Sequence, residues 1–212
     1  MLKISCWNSD WATPSSKRGK FFSDKFDSDI ICLTEGYETL LPQDGYIISS
    51  NENYGYKIQK GRRKVILWSK NKWTEVNQIG SKEIPTGRFI SGVTNGIKIV
   101  GLCIPWRFAH VSTGRKDRKP WEDHLSFIKN LSFSNEKTII LGDFNQNIPK
   151  KNQPDIVFSS LKKMIDGFNL LTSNMGLIHI VISNDLKAES IQKIATENNS
   201  DHDGINGSIK FA

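Results

Sequence analysis

Asp143 and Asn145 stand two residues apart, directly after the run Thr138-Ile139-Ile140-Leu141-Gly142. In an extended chain residues i and i+2 point to one side, so this carboxylate and this amide can face a common pocket at the mouth of a sheet. An acceptor-only carboxylate beside an amide that both donates and accepts suits a site that orients water or grips a phosphoryl oxygen. The same spacing also fits an Asx-type turn after a strand, in which Asp and Asn are common. Other polar groups follow other strand-like runs: Asn8 after residues 2–7, Glu35 after residues 30–33, and Asp201-His202 in a turn before the last apolar stretch. Carboxylates, amides and an imidazole delivered by several strand ends form a working constellation if those ends converge. Oxygen ligands without a thiolate select a hard cation, Mg²⁺ or Mn²⁺, and Mg²⁺ needs only one or two protein carboxylates because it keeps several waters. Glu35 with a helper is enough. A metal, a water-orienting carboxylate and an imidazole together suit phosphoric-ester hydrolysis.

The elements that must position these groups are legible by periodicity. Residues 20–26 carry Phe21, Phe22 and Phe26 at helical spacing, between the strand-like runs 2–7 and 30–33. Residues 46–49, 55–58, 65–69, 72–76 and 88–94 read as short strands of an antiparallel region. Asn95-Gly96 is a strong hairpin signal and joins the run 89–93 to the run 97–104. Residues 121–131 and 155–168 show helical spacing of apolar positions, 177–183 a late strand and 208–211 a short final one, whereas 184–199 are polar and poorly patterned. No repeat or linker interrupts the chain, so one mixed α/β domain over residues 1–212 is expected.

Composition narrows the classes. The chain has 212 residues, 37% hydrophobic and 24% charged, as soluble globular proteins do. A net charge of +7 favours polyanionic partners such as nucleic acid, phosphoinositides or an anionic membrane surface. Cys6, Cys32 and Cys103 lie in apolar runs, odd in number and without close spacing. Buried reduced thiols are expected rather than a disulfide framework or a zinc site, which points to a reducing, cytoplasmic setting. No run is long enough to span a membrane.

Trp7-Asn8, Leu33-Thr34-Glu35, Gly142-Asp143-Phe144-Asn145 and Ser200-Asp201-His202, in that order, resemble the signature of the endonuclease/exonuclease/phosphatase superfamily, the deoxyribonuclease I-like and exonuclease III-like group. The resemblance spans residues 7 to 202. It implies a four-layer sandwich of two packed mixed β-sheets flanked by helices, with the site at one end. It further implies that Glu35 holds a divalent metal beside Asn8 and that Asp143 orients or deprotonates the attacking water. Asn145 would hold that water or a phosphoryl oxygen, and His202 would stabilise charge developing on phosphate, assisted by Asp201. Two positions depart from the pattern. Cys103 stands where many members have His or Tyr. Ile178 stands where many have an Asp that pairs with the catalytic His; Asp166, Asp185 and Asp203 are possible substitutes.

The basic segments carry two readings each. Arg88 is either a phosphate contact or a solvated strand-end cation. The loop with Trp106, Arg107, His110, Arg115 and Arg118 mixes cations with an aromatic, as single-strand grooves do, or is a solvated loop with Trp106 packed on the core. Arg62-Arg63-Lys64 reads as an exposed strand start, and His179 as either a hydrogen-bonded strand histidine or a site residue. The leading expectation is a metal-dependent nuclease acting on DNA or RNA. A phosphatase or phosphodiesterase for a small-molecule or lipid-headgroup phosphate and a non-catalytic nucleic-acid-binding relative are the alternatives, because fold analogy does not choose a substrate.

Overall fold

The computed structural model describes residues 1–80, 85–109, 119–134 and 136–212. The chain runs β1 (Leu2–Asn8), α1 (Lys17–Ser23), β2 (Ile30–Tyr37), β3 (Tyr46–Ser49), β4 (Arg62–Ser69), β5 (Thr74–Asn77), β6 (Phe89–Thr94), β7 (Ile97–Cys103), α2 (Glu122–Lys129), β8 (Thr138–Asp143), α3 (Asp155–Met164), β9 (Asn169–Leu170), β10 (Ile178–Ile182), β11 (Leu186–Ile194) and β12 (Gly204–Phe211). Two six-stranded sheets result, in the orders β11-β12-β1-β2-β4-β3 and β5-β6-β7-β8-β10-β9. The pairs β1/β2 and β7/β8 are parallel and the other pairs antiparallel. Parallel neighbours need a crossover, and α1 and α2 lie in those two connections.

Strand alternation divides the apolar residues into three layers of packing. One side of each sheet supplies Ile4, Cys6, Ile30, Cys32, Ile139, Leu141, Ile178 and Ile180 to a dry interlayer. The outer face of the first sheet packs Trp7, Ile31, Leu33 and Trp68 against Phe22 of α1. The outer face of the second packs Val100, Ile140 and Val181 against Phe127 and Ile128 of α2 and Leu161 and Met164 of α3. The four layers expected from the resemblance are therefore present. The three cysteines are buried. Among the described residues, no helix is long and apolar enough to cross a membrane.

Several expected boundaries move, each for a local reason. The first helix begins three residues earlier than its phenylalanine spacing predicts, because the Ser16 side chain accepts the Gly19 N–H and caps it. Residues 184–199, which lack a strand pattern, contain β11 along β12. It is an edge strand paired by its backbone, so its side chains stay mostly exposed and carry Lys187, Glu189 and Lys193. β12 starts four residues earlier than expected; Gly204 and Gly207 hide it in the sequence, and a Cβ at Gly204 would lie 2.3 Å from the Trp7 ring. Residues 55–58 are a bend followed by irregular chain, not a strand. The Asn95-Gly96 hairpin forms as expected between β6 and β7.

Candidate active site

The site is the place where two core-facing rows turn polar. In β1 the positions Ile4 and Cys6 face the interlayer, and Asn8 is the next of the same parity. In β8 the row is Ile139, Leu141, Asp143. Both rows end at the C-terminal edge of their strands, in different sheets, and Asn8 Nδ2 donates to Asp143 Oδ2 at 3.1 Å across the gap. The Asn8 Oδ1 accepts the Asp10 N–H at 2.8 Å, so the amide is held at both ends. Gly142, the residue before Asp143, lets β8 lie close beside β7: it has φ +144°, and a Cβ there would sit 1.9 Å from the Leu102 carbonyl oxygen.

Asp143 is 2% exposed. Its Oδ1 accepts the Asn145 N–H at 2.9 Å, with Asn145 in the left-handed region at φ +53°. The Asn145 Nδ2 donates to the Ile104 carbonyl at 2.8 Å. The Asx turn and the shared pocket, two readings of one spacing, thus coincide. Burial raises the Asp143 pKa above the ordinary carboxylate value, and the charge of Glu35 adds to this; His202, the Asn145 N–H and the Asn8 amide offset it only in part.

Glu35 enters the cavity by a different device. Strict alternation would send it to the outer face with Leu33, but it takes φ +51°, a rare conformation for Glu. It lies between the paired residues Thr34↔Val65 and Gly36↔Arg63, opposite Lys64. The Lys64 ammonium forms a close ion pair with Glu35 Oε1. Lys64 is 7% exposed, not the solvated strand start expected from Arg62-Arg63-Lys64, and its Nζ also lies 5.1 Å from the Trp11 ring centroid. Only a long-range register reveals this pair; the local signal was a lysine directly abutting the apolar run 65–68.

His202 stands on the turn before β12. Its Nε2 is 3.7 Å from Asp143 Oδ2, and its Nδ1 is 2.6 Å from Asp201 Oδ1. Among the described residues, Nε2 has no hydrogen-bond partner although it is buried. Burial works against a charged imidazole, but the carboxylates of Asp143, Asp201 and Glu35 outweigh it and raise the His202 pKa above its ordinary value. Ile178 pairs opposite Asp143 and belongs to the apolar interlayer, so the late strand supplies no acid. Asp201, the residue next to the histidine, makes that contact. Asp203 instead pairs with Lys193, and Asp185 accepts from Ser183. His179 is a hydrogen-bonded strand histidine between Thr172 and Gln146.

Arg88 is 1% exposed rather than a solvated strand end. It sits in the 3-10 turn Thr86–Arg88, which Gly87 holds against the Asn53 carbonyl at 2.9 Å. Its guanidinium donates to the carbonyls of Tyr54 and Cys103, both at 3.2 Å, while Nη2 has no partner among the described residues. Cys103, at the position expected to differ, is buried, which pushes its thiol up to about 12. Trp106 is 47% exposed and does not pack into the core. One cavity of about 280 Å³ is lined by Asn8, Glu35, Lys64, Arg88, Trp106, Asp143, Asn145, Leu177, Asp201 and His202. Arg107 does not line it and lies over the Phe108 ring at 4.7 Å. Arg115, with His110 and Arg118, falls outside the described residues.

The donor set is one of oxygens. Among the described residues no three His, Cys, Asp or Glu side chains form a metal cluster, yet a Mg²⁺-like cation takes one or two carboxylates and completes its shell with water. Glu35 with the Asn8 oxygen fits such an ion, provided Lys64 yields or shares the Glu35 carboxylate.

The Endonuclease/Exonuclease/phosphatase family model matches residues 14–162. Among curated proteins, no sequence matches the chain. Several solved structures share the fold at low identity. A 3′ phosphatase, NExo, from Neisseria, bound to a product DNA hairpin, superposes with a TM-score of 0.70 at 15% identity, covering 100% of both chains. An AP endonuclease from Archaeoglobus fulgidus gives 0.65 at 15% identity over 98% of this chain and 99% of its own. Beta toxin from Staphylococcus aureus gives 0.59 at 14% identity over 98% and 99%.

Proposed function

The chain belongs to the Endonuclease/Exonuclease/phosphatase family, and on that premise we propose that it is a divalent-metal-dependent phosphodiesterase that hydrolyses nucleic acid. The observation that carries this reading is the pairing of a buried carboxylate with unpaired cationic donors in one cavity. Asp143 is held by the Asn8 amide and the Asn145 N–H, while His202 Nε2 and Arg88 Nη2 lack acceptors among the described residues. Such donors suit the non-bridging oxygens of a phosphoryl group.

In this mechanism a phosphodiester lies across the cavity with one oxygen on His202 Nε2 and another on Arg88. A water beside Asp143 and Asn145 attacks phosphorus and its proton passes to the Asp143 carboxylate, while the P–O bond to one sugar oxygen breaks and that oxygen leaves, taking a proton from solvent. The raised Asp143 pKa makes it a better base at neutral pH than an ordinary aspartate. The raised His202 pKa favours the protonated imidazole, which then faces the charge developing on the phosphoryl oxygens, with Asp201 holding its orientation through Nδ1. Glu35 and Asn8 would hold Mg²⁺ or Mn²⁺, which supplies charge neutralisation and polarises the P–O bond. Trp106 and the basic residues Arg107 and Arg115, with the overall charge of +7, favour a polyanionic strand over a small uncharged substrate.

The test is a digestion panel of plasmid, single-stranded DNA and RNA beside inositol phosphates, with Mg²⁺ and with EDTA. Metal-dependent strand cleavage is expected. Phosphate release from the inositol phosphates alone would move the assignment to a small-substrate phosphatase, and no hydrolysis of any kind would make the chain a binding relative.

A further inference from the structure

Beside the catalytic cavity lies a second, larger one of about 430 Å³, and the two share Glu35, Lys64 and Trp106. Its walls are aromatic: Trp11, Tyr54, Tyr56 and Trp106. Trp11 and Tyr54 pack with ring centroids 5.6 Å apart, and Tyr54 and Tyr56 with centroids 6.1 Å apart. Tyr54 is 3% exposed and lies at depth, whereas Tyr56 and Trp106 are 38% and 47% exposed. Cations are interleaved with the rings. The Arg62 guanidinium lies 4.8 Å from the Trp11 ring centroid, and the Arg88 guanidinium 5.8 Å from that of Tyr56. Arg88 lines the catalytic cavity, so this contact ties the second cavity's Tyr56 to the phosphate side. Gln59 adds an amide that can donate and accept.

We propose that this second cavity receives one unpaired nucleobase of the strand being cleaved, next to the phosphate that is hydrolysed. The inference rests on the nuclease reading and adds to it a preference for unpaired strands. An aromatic floor with interleaved cations matches a flat π-ring carried on a phosphate backbone. A lipid chain fits poorly, because Lys57, Arg62 and the Lys64–Glu35 pair would be desolvated against hydrocarbon. A base still stacked in a duplex fits poorly too. To reach a ring as deep as Tyr54 it must leave the stack, which costs least where no partner base holds it.

The test is fluorescence anisotropy of the full chain in EDTA, which measures binding without turnover. The probes are a labelled short oligothymidine strand, an abasic strand of equal length and a blunt duplex of equal length. The wild type should bind oligothymidine about tenfold more tightly than the abasic strand, the scale of one stacked base, and also more tightly than the duplex. Tyr56→Ala and Trp106→Ala should each bring the oligothymidine-to-abasic ratio toward one. Tyr46→Ala, at an exposed aromatic outside the cavity, should leave it unchanged. Equal affinity of the wild type for both strands, a ratio that survives both substitutions, or no binding of any strand would overturn the proposal. Absence of cleavage in Mg²⁺ strikes the nuclease reading separately, because the ratio is measured without it.

Discussion

The His124–Gln146–His179 cluster and the Asn8–Asp143–His202 cluster both bury imidazoles near the end of β8, yet they differ in how their polar atoms are met. In the first, His124 Nδ1 donates to the Pro105 carbonyl at 2.6 Å and its Nε2 meets the Gln146 amide at 2.6 Å. His179 Nε2 donates to the Gln146 carbonyl at 2.9 Å and its Nδ1 accepts from Thr172 at 2.9 Å. Burial lowers both histidines to about 4, so each is neutral at pH 7. Among the described residues, the gap in this cluster is a neutral one, the Gln146 Oε1. In the second cluster the imidazole is pushed the other way, toward the cation, and the unmet atoms are cationic donors lining a cavity. Buried polar groups alone therefore do not mark a site; unmet charge beside a buried carboxylate does.

The contrast is sharpest in the response to losing an imidazole. His202→Ala should lower hydrolysis by roughly 10²–10³-fold while the melting temperature changes little, since among the described residues its buried Nε2 has no hydrogen-bond partner to lose and its Nδ1 meets the exposed Asp201. His179→Ala should do the reverse. It leaves the Thr172 hydroxyl without its acceptor and the Gln146 backbone carbonyl without its donor, beside a new cavity in the packing around Phe144, at a cost of about 2–4 kcal/mol. A urea titration reads that loss, and hydrolysis per folded molecule should stay within about twofold.

Acid separates the clusters again. His124 and His179 have folded pKa values below the ordinary 6.5, so protons bind the unfolded chain more strongly. Their contribution is complete above pH 6.5 and is lost as pH falls toward 4, up to about 3 kcal/mol each. Denaturant midpoints across that range measure it. The rate profile follows the other cluster. Activity needs Asp143 unprotonated and His202 protonated, so the acid limb should lie above the ordinary aspartate value and the alkaline limb above the ordinary imidazole value. Asp201→Asn should give the smallest effect, less than about tenfold on rate, with the alkaline limb moved down, because its side chain is 71% exposed and solvent screens it.

Much of this contrast was legible in the sequence and part was not. Asn8 and Asp143 continue period-two rows that begin in apolar residues, so their direction follows from local geometry. The hairpin at Asn95-Gly96 and the three helices also follow from local signals. Glu35 stands out in the sequence as a carboxylate just past a strand-like run and again by resemblance to a motif, but its left-handed backbone and its bond to Lys64 depend on the β2/β4 register, which no local window contains. Arg88 and Trp106 each carry two readings in the sequence, and the structure removes the solvated strand end for Arg88 and the core-packed ring for Trp106; the burial of a loop residue depends on what crosses above it. β11 went unread because an edge strand is stabilised by backbone hydrogen bonds that leave no hydrophobic alternation.

The most direct test is the single-turnover hydrolysis rate of Asp143→Asn against the wild type in Mg²⁺, on whichever nucleic acid is cleaved, with both proteins matched in melting temperature. Asparagine preserves the size of the buried side chain but cannot take the proton from water. The rate should fall by about 10²–10⁴-fold. A rate within a few-fold of the wild type, at equal stability, would mean that the water is activated elsewhere and that the cavity at the end of the two sheets is not the catalytic centre.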